Sequence, residues 1–237
     1  MQPPRVSVVV PAFNAEKLIE RCLESLKNQT VSPYEIIVVD NNSTDRTAAI
    51  AEQYGVIVVK ESRQGIAWAR DAGFLKASGD IIARCDADCV TPKTWVETIT
   101  KYYSTTPTER YKGITGSGYY TTKSELLGKI LGTLMTEGYN MGNRLMTGSV
   151  SLYGSCMAFP RNWWDEVKEE VCHDSHVIHE DIDISVHLLN KGFKITKVKQ
   201  FYTYIDARTL REPFKKTWWR WRSWPPSAFR HRNDRSN

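Results

Sequence analysis

The sequence predicts an α/β fold on a mostly parallel sheet, and two features of residues 5–88 predict it. Four apolar, largely β-branched runs, at residues 5–11, 34–39, 56–59 and 81–85, alternate with segments of helical period. Strands separated by helices imply right-handed crossovers and parallel neighbours. Each run also ends in polar residues: Asn14, Asp40, the segment near Arg63, then Asp86 and Asp88. In an open α/β sheet those carboxyl ends share one edge, and ligands bind there.

The first strand is closed by Pro11, and Asn14 is placed to cap the helix carrying Leu18, Cys22, Leu23 and Leu26 on one face. The second strand leads into Asp40-Asn41-Asn42-Ser43-Thr44-Asp45, where Ser43 or Thr44 suits the cap of a helix over residues 48–54. Gly55 suits the left-handed position that ends it. A third strand, a helix over residues 65–77 and the fourth strand follow. No Gly-x-Gly-x-x-Gly follows the first strand and no Walker lysine loop is present, which disfavours the usual dinucleotide and P-loop sites.

The second half is less regular. Residues 92–103 read as a helix capped by Thr91, and residues 113–120 as a strand whose Gly and Ser residues imply close approach of backbone or ligand. Leu126, Leu127, Ile130, Leu131, Leu134 and Met135 form a helical stripe, read first as core packing and second as a lipid- or acceptor-facing surface. A strand over 153–159 containing Gly154, a helix over 161–171, a helix ending at Lys191-Gly192 and a strand over 193–198 complete the pattern.

A length of 237 residues suits one large α/β domain or two small ones. No run approaches the ~20 apolar residues of a membrane span, and no secretory leader is expected. Five dispersed cysteines favour reduced thiols, hence a cytoplasmic protein.

Asp86-Ala87-Asp88 ends the fourth strand. Two carboxylates held together repel unless something neutralises them. Oxygen ligands suit Mn²⁺ or Mg²⁺, so this pair is the candidate metal site, bridging to a diphosphate; a solvated turn is the alternative.

Five motifs taken in order resemble the family 2 glycosyltransferases: residues 6–14, 38–45, 65–73, Asp86-Ala87-Asp88 and His179-Glu180-Asp181. The resemblance implies a GT-A fold, a Rossmann-like nucleotide-binding half continuous with an acceptor-binding half, over residues 1–210. It implies that Pro11, Ala12, Phe13, Asn14, Glu16, Asp40, Asn42, Arg70, Asp86 and Ala87 bind the nucleotide sugar. Asp86 and Asp88 would hold the metal and Asp181 would be the catalytic base, with Glu180 and Gly154 on the acceptor side. For Arg70 a solvated helix charge is the other reading. Asp71 stands where many relatives carry Asn.

The activity implied is inverting transfer of a sugar from a nucleotide-diphosphate donor to a hydroxyl acceptor, a glycan or a lipid-linked intermediate of envelope polysaccharide synthesis. A sugar-phosphate nucleotidyltransferase or a non-catalytic sugar-nucleotide- or membrane-binding protein are the alternatives. Glu180-Asp181 opposes the first and the full set of Asp86, Asp88 and Asp181 the second. Cys172, His173, His176 and His179 have metal-like spacing, but a polar loop ahead of Asp181 reads better than a zinc site.

Residues 211–237 form a basic, aromatic extension with Trp218, Trp219, Trp221 and Trp224 among Lys and Arg, its end expected to be disordered. Its composition suits peripheral contact with the cytoplasmic face of a membrane, packing on the domain, or, less well, a nucleic acid. Arg208, just before it, is placed to approach phosphate.

Overall fold

The computed structural model describes residues 2–107, 110–173 and 178–208. Among these residues eight strands form one mixed sheet, in the order β3-β2-β1-β4-β7-β6-β8-β5. β1 (Val6–Ala12), β2 (Glu35–Asp40), β3 (Ile57–Lys60) and β4 (Ile81–Arg84) are mutually parallel. Their alternation splits the core by face. Val8, Val10, Ile36, Val38, Ile81 and Ala83 pack on one side, and Val9, Ile37, Val39 and Ile82 on the other. A sheet buried on both faces needs continuous apolar runs, which is what the sequence carries.

The first face is covered by α1 (Ile19–Lys27), α2 (Thr47–Gln53) and α4 (Trp95–Thr105). The second is covered by α3 (Ile66–Lys76), α6 (Arg161–Val167) and α7 (Glu180–Asn190). Beyond β4 the sheet continues antiparallel through β7 (Met157–Pro160) to β6 (Gly113–Thr121), which pairs in parallel with β8 (Ile195–Asp206). The two-residue β5 (Cys89–Val90) closes the edge against β8.

Several elements differ from the sequence reading for local reasons. Asn14 does not cap α1; its φ is 47° and it belongs to the loop, while α1 starts at Ile19. The α2 entrance is held by Asp45, whose Oδ1 accepts from the Thr47 amide at 2.9 Å. Thr91 does not cap α4; its amide donates to Ser25 Oγ at 3.0 Å. Gly55 has the expected left-handed φ, 62°. β7 begins only at Met157 because residues 153–156 form a tight bridge. α6 stops at Val167, and β8 runs through Asp206 rather than ending near residue 198.

The largest correction concerns α5 (Glu125–Thr147). Its apolar stripe does not pack in the core. Leu126, Leu127, Ile130, Leu134 and Met135 are exposed, and the buried face is Gly128, Gly132, Thr136, Asn140 and Asn143. The helix lies so close to β6 that a Cβ on Gly132 would sit 2.2 Å from the Gly118 carbonyl oxygen. Only small residues fit that contact, and leucines are turned away by it. The 211–237 extension and His176 lie outside the described residues.

Substituting at this contact tests the orientation. Gly132→Ala is expected to destabilise the fold by about 1–3 kcal/mol through overpacking. Gly138→Ala on the same helix, where a Cβ meets nothing within 4 Å, should be neutral or stabilising by up to ~1 kcal/mol. Urea midpoints of the two variants measure the difference.

Candidate active site

The carboxyl ends of β1, β2 and β3 lie level, Ala12 pairing with Asp40 and Asp40 with Lys60. Their loops are laced together. Asn14 donates its amide to Ser43 Oγ at 3.0 Å and accepts from the Thr44 amide at 2.9 Å. Glu16 accepts from the Arg46 amide at 3.2 Å, and its own amide donates to Asp45 at 3.1 Å. Asp40 is buried and accepts from the Ser43 amide at 3.2 Å. Pro11 and Ala12 are buried, whereas Phe13 and Asn42 are exposed at the rim, Asn42 with a φ of 64°. Asn41, which the sequence reading did not single out, donates to the carbonyls of Glu61 (3.0 Å) and Arg63 (2.7 Å) and accepts from Gly65. It ties the β2 end to the loop before α3.

β4 ends at Arg84, so the two acidic residues lie on a turn, not on an extended strand. The turn is closed by the Cys89 amide donating to the Asp86 carbonyl at 3.0 Å, with Ala87 buried between the carboxylates. Asp86 is held on both oxygens, by Arg84 Nη2 at 3.0 Å and by the Ser155 hydroxyl at 2.5 Å. Burial, with the neighbouring charge of Asp86, pushes the Asp88 carboxyl up to about 6, while Arg208 pulls the other way. Asp206 lies beside it, its amide donating to the Asp88 carbonyl at 3.3 Å. Two crowded carboxylates of this kind suit a divalent cation. Among the described residues no group of three or more His, Cys, Asp or Glu is placed to hold an ion. A cation here would therefore need oxygens from a ligand as well as Asp86 and Asp88.

A buried charge network joins this turn to the other half. Arg84 donates Nη1 to Glu180 Oε1 at 2.5 Å, and Arg70 donates Nη1 to the Glu180 carbonyl at 2.8 Å and to Oε2 at 3.3 Å. Arg70 is fully buried, so it is neither a solvated helix charge nor open to a ligand. Glu180 is likewise enclosed between the two arginines and does not face an acceptor. Burial pushes its carboxyl up, and the charges of Arg84 and Arg70 act against that. Arg84 is held above its ordinary value by Glu180 and Asp86 despite the opposing effect of burial. Asp71 extends the network from Arg70 (2.7 Å) to His173 Nε2 (2.6 Å), and His173 stacks on Trp68.

Asp181, the next residue, is half-buried at the start of α7. Its Oδ2 accepts from the Gly154 amide at 3.2 Å and its Oδ1 from the Ile182 amide at 2.9 Å, while the Tyr139 hydroxyl of α5, which donates to the Leu152 carbonyl at 3.3 Å, lies within reach of its charge. Gly154 thus orients Asp181 directly, and a Cβ there would press on the Arg84 guanidinium at 3.1 Å. Arg84, Ser155 and Tyr139 were missed by sequence reasoning. Arg84 alone had a visible signal, as a charge inside an apolar strand two residues before Asp86.

The profile of a family described as glycosyl transferase family 2 matches residues 7–167. Glycosyltransferase AglE of Haloferax volcanii is 38% identical over 102 residues, 40% of this chain and 34% of that protein. The aligned region thus spans about a third of that relative's length. Glucosyl-3-phosphoglycerate synthase from Mycobacterium tuberculosis, solved with Mn²⁺, UDP and glucosyl-3-phosphoglycerate, superposes with a TM-score of 0.63. Identity is 21%, over 90% of this chain and 75% of that one. The mannosyltransferase PcManGT from Pyrobaculum calidifontis, in complex with GDP-Man and Mn²⁺, has a TM-score of 0.62 and 20% identity, covering 86% of this chain and 57% of that chain.

The network makes a quantitative demand on Glu180. Glu180→Gln keeps the shape and removes the charge that Arg84 and Arg70 share. Breaking a buried pair from one side costs about 3–5 kcal/mol. Chemical denaturation should show a loss of that order, and a change within experimental error would mean that the arginines are compensated elsewhere.

Proposed function

As this chain belongs to glycosyl transferase family 2 and has the GT-A fold, we propose that it is a metal-dependent, inverting sugar transferase. The donor is a nucleotide-diphosphate sugar and the acceptor a hydroxyl of a glycan or lipid-linked intermediate of envelope polysaccharide synthesis. One observation carries the reading: the Asp86-Asp88 turn and Asp181 stand at the same sheet edge, linked through Arg84 and Glu180. The Mn²⁺ complexes of the two structural neighbours agree with a cation at the turn.

The laced loops holding Pro11, Ala12, Phe13, Asn14, Glu16 and Asn42 form the floor for the nucleotide. The Asp40 carboxylate accepts from the N–H edge of the base, which suits uracil or guanine. Asp86 and Asp88 would hold Mn²⁺ or Mg²⁺, which when bound stabilises the charge of the departing diphosphate. Arg208, beside Asp206 and the turn, adds positive charge for phosphate. Asp181 takes the proton from the acceptor hydroxyl as its oxygen bonds the anomeric carbon and the bond to the diphosphate oxygen breaks. The Gly154 and Ile182 amides fix the carboxylate for this task. Arg70 and Glu180 are positioning residues, acting through Asp181 and Arg84. The extension after residue 210 gives the enzyme a peripheral site at the cytoplasmic face of the membrane.

Two variants separate binding from chemistry. Asp181→Asn should keep donor affinity and lose turnover by ~10²–10⁴-fold; Asp88→Ala should lose Mn²⁺-dependent donor binding. Calorimetry with UDP- and GDP-sugars and a product assay read the two effects. Near-normal turnover in Asp181→Asn would move the base elsewhere.

The pH dependence follows from Asp88. A carboxyl raised in the folded state binds its proton more readily folded than unfolded. Without a cation, its contribution to stability therefore grows as pH falls through about 6. Cation binding needs the ionised form, so Mn²⁺ affinity should weaken about tenfold per pH unit below that value. Thermal melting with Mn²⁺ and nucleotide, above and below pH 6, should show the metal-dependent rise in Tm shrink on the acid side.

A further inference from the structure

The exposed face of α5 is too apolar and too continuous to be ordinary surface. At 3.6 residues per turn, Ile130, Leu134, Met141, Leu127 and Leu145 fall within about 60° of arc, opposite the buried Gly132, Thr136, Asn140 and Asn143. Leu134 is 66% exposed and Leu145 82%. From Leu126 to Leu145 the stripe runs about 28 Å along the axis. Monomeric soluble proteins rarely leave such a patch bare.

Its surroundings indicate what covers it. Tyr119, Tyr202 and Tyr204 cluster beside the start of the helix, with ring centroids 5.1 Å apart for the first two, and Lys129 lies within electrostatic reach of Tyr202 and Tyr204. Amphipathic rings beside a lysine suit the level of lipid headgroups. The described chain ends at Arg208, and Asp206 pairs with Thr121, four residues before α5 begins. Arg208, the last described residue, thus lies near that end of the stripe. Residues 209–237 carry eight Lys and Arg against two acids, an excess larger than the chain's whole net charge of +5, together with four tryptophans.

That charge discriminates between occupants. Glu125 and Glu137, the acids of the exposed α5 surface, are already paired with Lys129 (2.6 Å) and Lys197 (2.5 Å). Neither the chain's own basic extension nor a second copy of α5 would find opposite charge on this face. Anionic headgroups over an apolar interior supply both. No helix among the described residues is long and apolar enough to cross a membrane, so the contact is with a surface. We propose that α5 lies in the headgroup region of an anionic bilayer, apolar stripe inward. This inference does not rest on the transfer reaction, and its readout is binding alone.

The test is co-sedimentation of the full chain with vesicles of phosphatidylcholine, alone or mixed with phosphatidylglycerol. The full chain should pellet with the mixed vesicles, and less so as salt rises. Leu134→Gln/Met141→Gln/Leu145→Gln should bind at least about tenfold more weakly, with an unchanged Tm. Leu145→Gln alone, at the most exposed position, should show a smaller loss and serves if the triple variant folds poorly. Equal pelleting of full chain and variants would assign binding to the extension alone and overturn the role of α5. Failure of the full chain to pellet would overturn it too. Light scattering and melting would then name the true cover: a dimer that the triple variant splits, or a monomer whose Tm the triple variant lowers.

Discussion

Glu180 sits between two buried arginines, and the two halves of the molecule meet there. Arg84 belongs to the sheet that leads to the acidic turn, and Arg70 to the helix behind the nucleotide floor. Neither guanidinium is tolerable in a protein interior without a counter-charge. The single carboxylate that answers both is the residue before Asp181. The register of α7, and with it the direction of Asp181, is therefore set by charge balance in the core. Gly154 and Ser155 then close the arrangement, one on Asp181 and the other on Asp86, from adjacent positions of one turn.

This arrangement explains how one edge of a sheet can present groups from distant parts of the chain. Asp86 and Glu180 are far apart in sequence and are brought together through a shared arginine. Each is held by partners that are themselves buried, so the site is organised before any ligand arrives. The tension left over is local: burial and the charges of Asp86 and Asp206 push the Asp88 carboxyl upward, and Arg208 and the Cys89 thiol act against them.

The first half of the fold was legible because strands buried on both faces must be apolar throughout, and the helices between them must be amphipathic. Asp86, Asp88 and Asp181 were legible as carboxylates at strand and helix ends. Arg70 was not legible as core, because a long charged side chain on a helix reads as surface until contacts across the fold are seen; Arg84 had one signal, its place inside an apolar strand. The α5 face was misread for a related reason. Periodicity tells which residues share a face, not which face is packed. The competing signal was there, in Gly128, Gly132, Thr136 and Asn140 at intervals of four, and the glycines of β6 opposite them settled the contest by distance of approach. The late half of β8 was missed because the exposed polar pair Lys199-Gln200 interrupts its apolar alternation.

β8 also has a mechanical consequence. Its last residue, Asp206, is bonded to the Asp88 backbone, and the strand pairs with β5, which follows the acidic turn without a gap in pairing. Arg208 is only two residues further on. The turn is thus clamped to the same ribbon from which the remaining chain departs. A pull or a twist applied beyond residue 208 acts on a lever whose short arm is Asp88, and the ribbon cannot shift along its axis without carrying that carboxylate with it.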